Sequence, residues 1–406
     1  MKTDSGIAVP AKSFAPSAHS VTPRARLTDQ TNALQLWWQN AKLHRVKRNE
    51  EPPAHPMFVK DAWAAPQQQE AEIHHKMTGE FGAGELWAHQ ELDSNEFFYK
   101  NGHLRDWHIF IHDDEEPSPF FHAILVHLVM YFKTVGTPLR YATTPYELLT
   151  AVLHAMLAHR TMLKKYGYLH RDISVNNIMM TSPRRDLDPP TKFDVRDIDE
   201  KILTTLISEG LLIDADLARK IVAPSVNGKT VSGTWEFISR RLHRFSDEGL
   251  SIQHAASDDL ESSIWVILWE AYRHGARLRD DLSCFSEFQR DIYKHWCGSG
   301  HPVNMIAAKT RFDETQVNGK AFPQCPPLNV FICTMLREFE VSKFQDLSTV
   351  EWTDYHYGLY FQKLWSCLKS ADPTLHMAWP DIFSSGFAPD LPTAQYEPPS
   401  IPGMYQ

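Results

Sequence analysis

A long helix that runs directly into a polar loop limits the folds open to this chain. Thr144 and Glu147 form a capping box, and apolar residues then recur at helical spacing as far as residue 166. Gly167 supplies the expected helix stop. The next letters, YLHRDISVNNIMM over residues 168–180, set charged and amide side chains between two apolar patches. This arrangement predicts a loop that is fixed in place and carries functional side chains.

Composition excludes several classes of protein. The chain has 406 residues, 43% of them hydrophobic, so it can bury the core of one bilobal domain or of two domains. Its 41 basic and 50 acidic residues give a net charge of −9, which argues against a nucleic-acid partner. The sequence shows neither a signal peptide nor an apolar run long enough for a membrane span. Five cysteines without metal-ligand spacing favour a reducing compartment. We therefore expect an intracellular protein, cytoplasmic or nuclear, without a membrane partner.

The elements after the loop follow a simple order. Residues 178–180 form a short strand candidate, and GLLI at residues 210–213 forms a second one that ends at Asp214. The connection between them is longer than a hairpin needs and is interpreted as a surface insertion. A buried helix is expected to begin near residues 257–259.

The polar residues have the spacing that phosphoryl transfer requires. Such a reaction needs an acid that faces the acceptor hydroxyl, with an amide and a second acid that hold a metal against the phosphates. Asp172 follows His170 by two positions, Asn177 lies five positions further, and Asp214 ends the next apolar strand. These residues are candidates for phosphoryl-transfer catalysis.

The loop also resembles a known motif. LHRDISVNNI is similar to HRDLxxxxN, the catalytic loop of the eukaryotic protein-kinase superfamily. HRDIS, with FVKDAW upstream and SDDLESSIWVILW downstream, more narrowly resembles the fungal-type protein kinase family over about residues 56–280. The resemblance implies an α+β, bilobal protein-kinase-like fold with a small β-rich N-lobe, whose first strands are not evident, and a large helical C-lobe. The predicted domains are a partly disordered extension (1–55), the N-lobe (56–133), the C-lobe (134–385) and a Pro-rich tail (386–406).

The resemblance implies roles for the loop residues. Asp172 would be the catalytic base, while Asn177 and Asp214 would be ligands of Mg²⁺, which Asp216 would assist. His170 and Arg171 would shape the turn. Asp259, in the buried helix, would accept hydrogen bonds that brace it.

A second group of residues would hold ATP. Lys60, in FVKDAW, would contact the α- and β-phosphates and pair with Glu70, with Glu72 as the nearby competitor. Residues from Met130 to Gly136 would connect the lobes and receive the adenine. Taken singly, Lys60 would be a solvated lysine and Glu70 an exposed helical acid. Their order along the chain favours the kinase-like interpretation.

Four departures from the kinase pattern weaken the expectation of activity. The only glycine before Lys60 is Gly6, so no glycine-rich lid over the phosphates is evident. In LLIDADLA, Ala215 replaces a phenylalanine that packs against the small lobe. Ser174 stands where many kinases carry a lysine. The letters SRR at residues 239–241 replace APE, so the structural acid of that motif is absent.

Three functions remain open. The first is a kinase that transfers the ATP γ-phosphate to Ser/Thr hydroxyls of protein substrates. The second is a pseudokinase that serves as an interaction module with impaired nucleotide binding, which the missing lid and Ala215 favour. The third is a small-molecule phosphotransferase, which the HRD arginine and the GT at residues 233–234 disfavour.

Overall fold

The computed structural model combines helices with small sheets in two compact units. One contains residues 1–67 and 87–131, and the other contains residues 68–86 and 132–406. The predicted α+β class is confirmed. The structure describes residues 44–45, 58–64, 69–92, 126–184, 208–221, 231–247, 252–278, 282–297, 302–314, 321–342 and 350–384.

The first unit is built on a four-stranded sheet with the order β1-β3-β4-β2. Its strands are β1 (His44–Arg45), β2 (Phe58–Ala64), β3 (Leu86–Leu92) and β4 (Val126–Phe132). A small cluster of Trp87, Ala88, Val129 and Tyr131 is buried on this sheet, with Val59 packed against it. Strand β1 lies in the predicted extension and pairs antiparallel with β3. The rest of that extension and the tail lie outside the described residues, so the predicted domain boundaries stay predictions.

The second unit begins with helix α1 (Glu70–Met77). Ile73 and Met77 on this helix belong to the main core of the unit. The loop after α1 is held by its backbone, since the amide of Leu212 donates to the carbonyl of Gly82 at 2.7 Å. Helix α1 therefore packs with the helical unit, although its residues fall within the predicted N-lobe.

The predicted long helix is present as α2 (Pro145–Tyr166). Thr144 Oγ1 accepts the amide of Glu147 at 3.2 Å, which is half of the predicted capping box. The other half differs, because the Glu147 carboxylate accepts from the amide of Thr143 at 2.6 Å and not from that of Thr144. Gly167 ends the helix at φ 76°, as predicted. Residues 148–163 are all buried, so α2 is the central helix of this unit.

Short strands before and after α2 form two small sheets around the polar loop. Strands β5 (Thr137–Pro138), β7 (Ile178–Arg184) and β8 (Ser208–Leu212) form an antiparallel sheet, with Ile178 opposite Leu212. The two strands predicted around the insertion therefore pair with each other. Strands β6 (Tyr168–Leu169) and β9 (Arg219–Lys220) form a second, two-stranded sheet.

The remainder of the unit is helical. Buried aromatic side chains fill its core, among them Trp265, Trp296 and Tyr272. None of the described helices is both long and apolar enough to cross a membrane. The helices are α3 (Arg240–Asp247), α4 (Ala256–Leu278), α5 (Glu287–Ile292), a π-helical turn (Tyr293–Cys297), α6 (Pro302–Glu314), α7 (Pro326–Ser342), α8 (Val350–Leu368) and α9 (Trp379–Ser384), with short 3₁₀ turns at Leu139–Tyr141 and Pro373–Leu375.

Candidate active site

The loop between β6 and β7 makes a tight turn at the HRD residues. Arg171 has φ 70°, a left-handed conformation that costs a non-glycine residue about 1–3 kcal/mol. His170 Nε2 lies 3.1 Å from the carbonyl oxygen of Ile213, and the amide of Asp172 donates to His170 Nδ1 at 3.3 Å. The amide of Arg171 donates to Asp259 Oδ2 at 2.9 Å. These hydrogen bonds hold the turn, and the predicted brace from Asp259 is present.

The contacts of His170 define its protonation state. Burial lowers the pKa of His170, and the negative charges of Asp259 and Asp172 oppose this effect only in part. Nδ1 must accept, because its partner is an amide, and the Ile213 carbonyl can only accept from Nε2. The ring is therefore neutral, with its proton on Nε2, and it ties the turn to the end of β8.

Asp259 is the centre of a buried polar cluster. Besides the Arg171 amide, its carboxylate accepts hydrogen bonds from His159 at 2.8 Å and from His254 at 2.9 Å. Burial alone would raise the pKa of Asp259, but the charge of His254 and the hydrogen bonds from both histidines hold it well below its usual range. The hydroxyl of Tyr357 hydrogen-bonds to His159 Nδ1 at 2.7 Å. The turn is thereby connected to helices α2, α4 and α8.

The sequence interpretation missed His159, His254 and Tyr357. A usable signal was present for one of them. His159 lies within the apolar pattern of α2, and a buried polar side chain requires a hydrogen-bonding partner. The identity of that partner could not be inferred, since Asp259 lies 100 residues further along the chain.

The carboxylate of Asp172 connects the polar loop to the GT pair at residues 233–234. Its Oδ1 accepts from the amide and the hydroxyl of Thr234, at 2.6 and 2.7 Å. Its Oδ2 accepts from Asn177 Nδ2 at 2.8 Å, and the same amide group donates to the Asp172 carbonyl at 2.8 Å. Of about four lone-pair sites on a carboxylate, the described residues therefore use three. One site remains for a further proton donor.

Gly233 permits the close approach of Thr234 to Asp172. Its φ is 119°, a conformation that side chains other than glycine rarely adopt. A Cβ atom at this position would lie 2.8 Å from the carbonyl oxygen of Arg171. The GT pair noted in the sequence is therefore required by the geometry of the site.

Asp214 follows directly on a residue that is bonded to the same loop, and its own backbone is constrained. The amide of Ile213 donates to the Asn177 carbonyl at 3.0 Å, and the next residue, Asp214, has φ 64°. Left-handed residues held by surrounding contacts are typical of functional sites. Asp214 and Asp216 are both half-buried.

The predicted metal ligands have the right chemistry for Mg²⁺. Asn177 uses its nitrogen for Asp172, so its side-chain oxygen is the atom that can bind a metal. With the carboxylates of Asp214 and Asp216 it makes a set of hard oxygen donors that needs water and phosphate oxygens to complete six ligands. In the described ranges, no three His, Cys, Asp or Glu side chains converge as a metal site. Oxygen donors of this kind suit Mg²⁺, and its binding by Asn177, Asp214 and Asp216 stays a prediction.

Ala215 lies in a nearly filled cavity. The residue is buried, and the remaining space is about 10 Å³, enough for about one water molecule. The cavity is lined by Ile73, His74, Met77, Ala83, Met162, His170, Leu212, Ile213 and Ala215.

We expect Ala215→Phe to destabilise the protein, although phenylalanine is the kinase residue at this position. The ring exceeds the space available, and overpacking of a core costs about 1–3 kcal/mol. Urea unfolding checks this, with Ala215→Cys as a control that adds a single small atom. A more stable Phe variant would contradict the packing argument.

Ser174 does not replace the missing lysine. It is buried, and its hydroxyl accepts from the amide of Asn176 at 3.3 Å. Its carbonyl accepts from the amide of Asn177 at 3.1 Å. Ser174 therefore supports the turn within the loop.

Both arginines of the SRR letters at residues 239–241 pair with acids on α4. Arg240 is buried, and both its amide and Nε donate to Glu261 Oε1, at 3.0 and 2.8 Å. Nη2 also donates to the carbonyl of Leu336 at 2.6 Å. Arg241, which stands at the position of the missing acid, pairs with Asp258, also on α4, with Nε 3.1 Å from Oδ1.

The predicted nucleotide residues are placed as follows. Lys60 lies on β2 in the first unit and is only 7% exposed. Glu70 is 2% exposed on α1, where its carboxylate lies 3.5 Å from His74 Nε2. Glu72 is half-exposed and pairs with Lys76, so Glu70 is the better candidate of the two. The pairing of Lys60 with Glu70 stays a prediction.

The predicted adenine segment is only partly characterised. Met130 is fully buried on β4 in the first unit. Gly136, in the second unit, is packed so closely that a Cβ atom would lie 2.6 Å from the side chain of Met179. The role of residues 130–136 in binding adenine stays a prediction.

The braced HRD turn, the hydrogen bond from Asn177 to Asp172 and the strand-end Asp214 are features of a kinase-like protein. A comparison with family models identifies which kind. The model described as "Fungal protein kinase" matches residues 22–271, more than half of the chain. The chain belongs to the fungal protein kinase family, as its motifs suggested. The match begins inside the predicted extension. A search of the curated proteins found no significant match.

Proposed function

We propose that this chain is an ATP- and Mg²⁺-dependent protein kinase that transfers the γ-phosphate to Ser/Thr hydroxyls. The observation that carries the proposal is the Asp172 carboxylate, which Thr234 and Asn177 orient while one acceptor site remains. In this proposal the four-stranded sheet belongs to the small lobe of a bilobal kinase-like fold, and the helical unit is the large lobe. Lys60, on β2, and Glu70, on α1, would serve the nucleotide.

Each residue has a defined part in the proposed reaction. Asp172 accepts the proton of the acceptor hydroxyl while the oxygen of that hydroxyl forms a bond to the γ-phosphorus. The bond between the γ-phosphorus and the β,γ-bridging oxygen breaks, and ADP leaves. Asn177, Asp214 and Asp216 would hold Mg²⁺, which offsets phosphate charge. The hydrogen bonds from Thr234 hold its segment at the base.

Phosphate transfer from γ-labelled ATP tests this proposal. Purified chain with Mg²⁺ should label serine and threonine in protein acceptors, and chelation of the metal should abolish the labelling. ATP labelled on the α-phosphate serves as the control and should leave the acceptor unlabelled. Label found only on tyrosine, or only on small alcohols or amines, would contradict the assignment of the acceptor.

A pseudokinase is the second candidate, because no glycine-rich lid precedes Lys60. Impaired nucleotide binding is the property that distinguishes it. A ligand that binds the folded state raises its melting temperature. A clear shift with ATP and Mg²⁺ that Asp214→Asn removes would count against a pseudokinase.

A further inference from the structure

Residues Thr234 to Ile238, here called the acceptor segment, are held by buried donors from distant helices. Trp296 Nε1, in the π-helical turn, donates to the carbonyl of Glu236 at 3.0 Å. Lys309 Nζ, on α6, donates to the carbonyl of Ile238 at 2.6 Å. The amide of Thr234, at the other end of the segment, binds Asp172. The position of the segment at the catalytic base therefore depends on groups far from it in sequence.

Arg240, which follows the segment, is fixed by an unusually dense set of contacts. Glu261 Oε1 accepts three hydrogen bonds, from the amide and Nε of Arg240 and from Trp265 Nε1 at 3.0 Å. Arg240 Nη2 reaches the Leu336 carbonyl, and Nη1 lies 3.6 Å from Glu340 Oε2. The side chains of both Arg240 and Glu261 are 5% exposed, so this pair links the segment to α4 and α7 inside the core.

Lys309 is a second buried cation beside this pair. It is 1% exposed, and its Nζ lies 4.9 Å from the ring centre of Trp265. Burial lowers the pKa of Lys309 to about 7, with only partial compensation by the charge of Glu261. His243, whose own pKa is lowered by burial and by Lys309, offers a neutral Nε2 at 3.4 Å. Burial of a lysine costs free energy, so its hydrogen bond to the Ile238 carbonyl is better explained by a positioning role than by stability.

We propose that Arg240, Glu261 and Lys309 form a buried clamp that positions the acceptor segment, and through it Thr234, against Asp172. The three are positioning residues, since they act through the backbone of residues 234–240 and do not reach the carboxylate themselves. The effect of the clamp on phosphate transfer rests on the proposed function. Its effect on the position of residues 234–238 does not.

The test compares Arg240→Lys, Glu261→Gln and Lys309→Met with the unmodified chain. Arg240→Lys keeps the charge but loses the fork that binds Glu261 and Leu336 together. We expect kcat/KM for a Ser/Thr protein acceptor to fall roughly 10²-fold, the effect of a small misplacement at a reacting centre. KM for ATP should stay unchanged. Amide hydrogen exchange in residues 234–238 should accelerate, while exchange in α2 stays slow.

Arg244→Lys is the matched control. Arg244 lies on the same helix and also contacts Glu340, at 3.3 Å, but on a half-exposed surface. This variant should exchange and react as the unmodified chain does. The double variant Arg240→Lys with Glu261→Gln should show nearly the same rate and exchange as either single variant, since both substitutions disrupt the same contact.

Two results would overturn the clamp. In one, Arg240→Lys and Glu261→Gln leave exchange of the acceptor segment unchanged. In the other, exchange accelerates equally in α2, which would show a general loss of stability. If the unmodified chain transfers no phosphate, the proposed function fails and amide hydrogen exchange alone tests the clamp. Faster exchange confined to the acceptor segment of the variants would then support the clamp.

Discussion

Replacement of Asp172 by asparagine is expected to lower phosphate transfer by roughly 10²–10⁴-fold, the range that general-base catalysis supplies. An amide oxygen can still accept both hydrogen bonds from Thr234, while the NH₂ group would face Asn177 Nδ2 and remove that one hydrogen bond. An amide cannot, however, take the proton of the acceptor hydroxyl. Initial rates of γ-phosphate transfer measure the loss, and the melting temperature shows whether the fold is retained.

Asn176→Ala is the control for Asp172→Asn. Asn176 is exposed in the same loop, and its backbone amide, which the substitution keeps, makes the bond to Ser174. Its activity should match that of the unmodified chain. Equal rates for Asp172→Asn and the unmodified chain would show that Asp172 is not the base.

The parts of the site that could be predicted are local in sequence. The catalytic loop, the helix before it and Asp214 lie within one stretch whose spacing carries the chemistry. The strand pair of Ile178 and Leu212 followed from two short apolar runs on either side of an insertion. In each case neighbours along the chain also meet in the fold.

The parts that could not be predicted depend on partners distant in sequence. Thr234 lies 62 residues after Asp172, and Tyr357 lies 198 residues after His159. Neither pair leaves a local pattern, because packing of whole helices brings them together. Arg241 shows the same effect at closer range. It stands where the motif has an acid, and the structure pairs it with Asp258 on α4, 17 residues further along the chain.

Lys60 and Glu70 are the two charged residues that the sequence assigns to the nucleotide. Burial of Lys60 and Glu70 agrees with functional roles, since charged side chains are seldom buried. Lys60 belongs to the first unit and Glu70 to the second, however. ATP binding is the informative measurement for this pair.

Asp259→Asn should cause the largest loss of stability, about 3–5 kcal/mol, which is the cost of removing one partner of a buried charge pair. The carboxylate accepts from His159, His254 and the Arg171 amide, and asparagine would turn an NH₂ group toward one of these donors. The HRD turn would lose its brace at a residue with strained φ, so activity should fall as well. Urea unfolding at neutral pH measures the loss in free energy.

The effect of Asp259→Asn should depend on pH in a defined direction. Because the folded-state pKa of Asp259 lies below the ordinary value of 3.8, the carboxylate stabilises the fold above that value. Its contribution is lost as pH falls further, so the difference between the two proteins should shrink below about pH 4. Asp381→Asn, an exposed acid on α9, is the control and should change stability by less than about 0.5 kcal/mol. A loss below about 1 kcal/mol for Asp259→Asn would show that the histidines and the turn are held by other contacts.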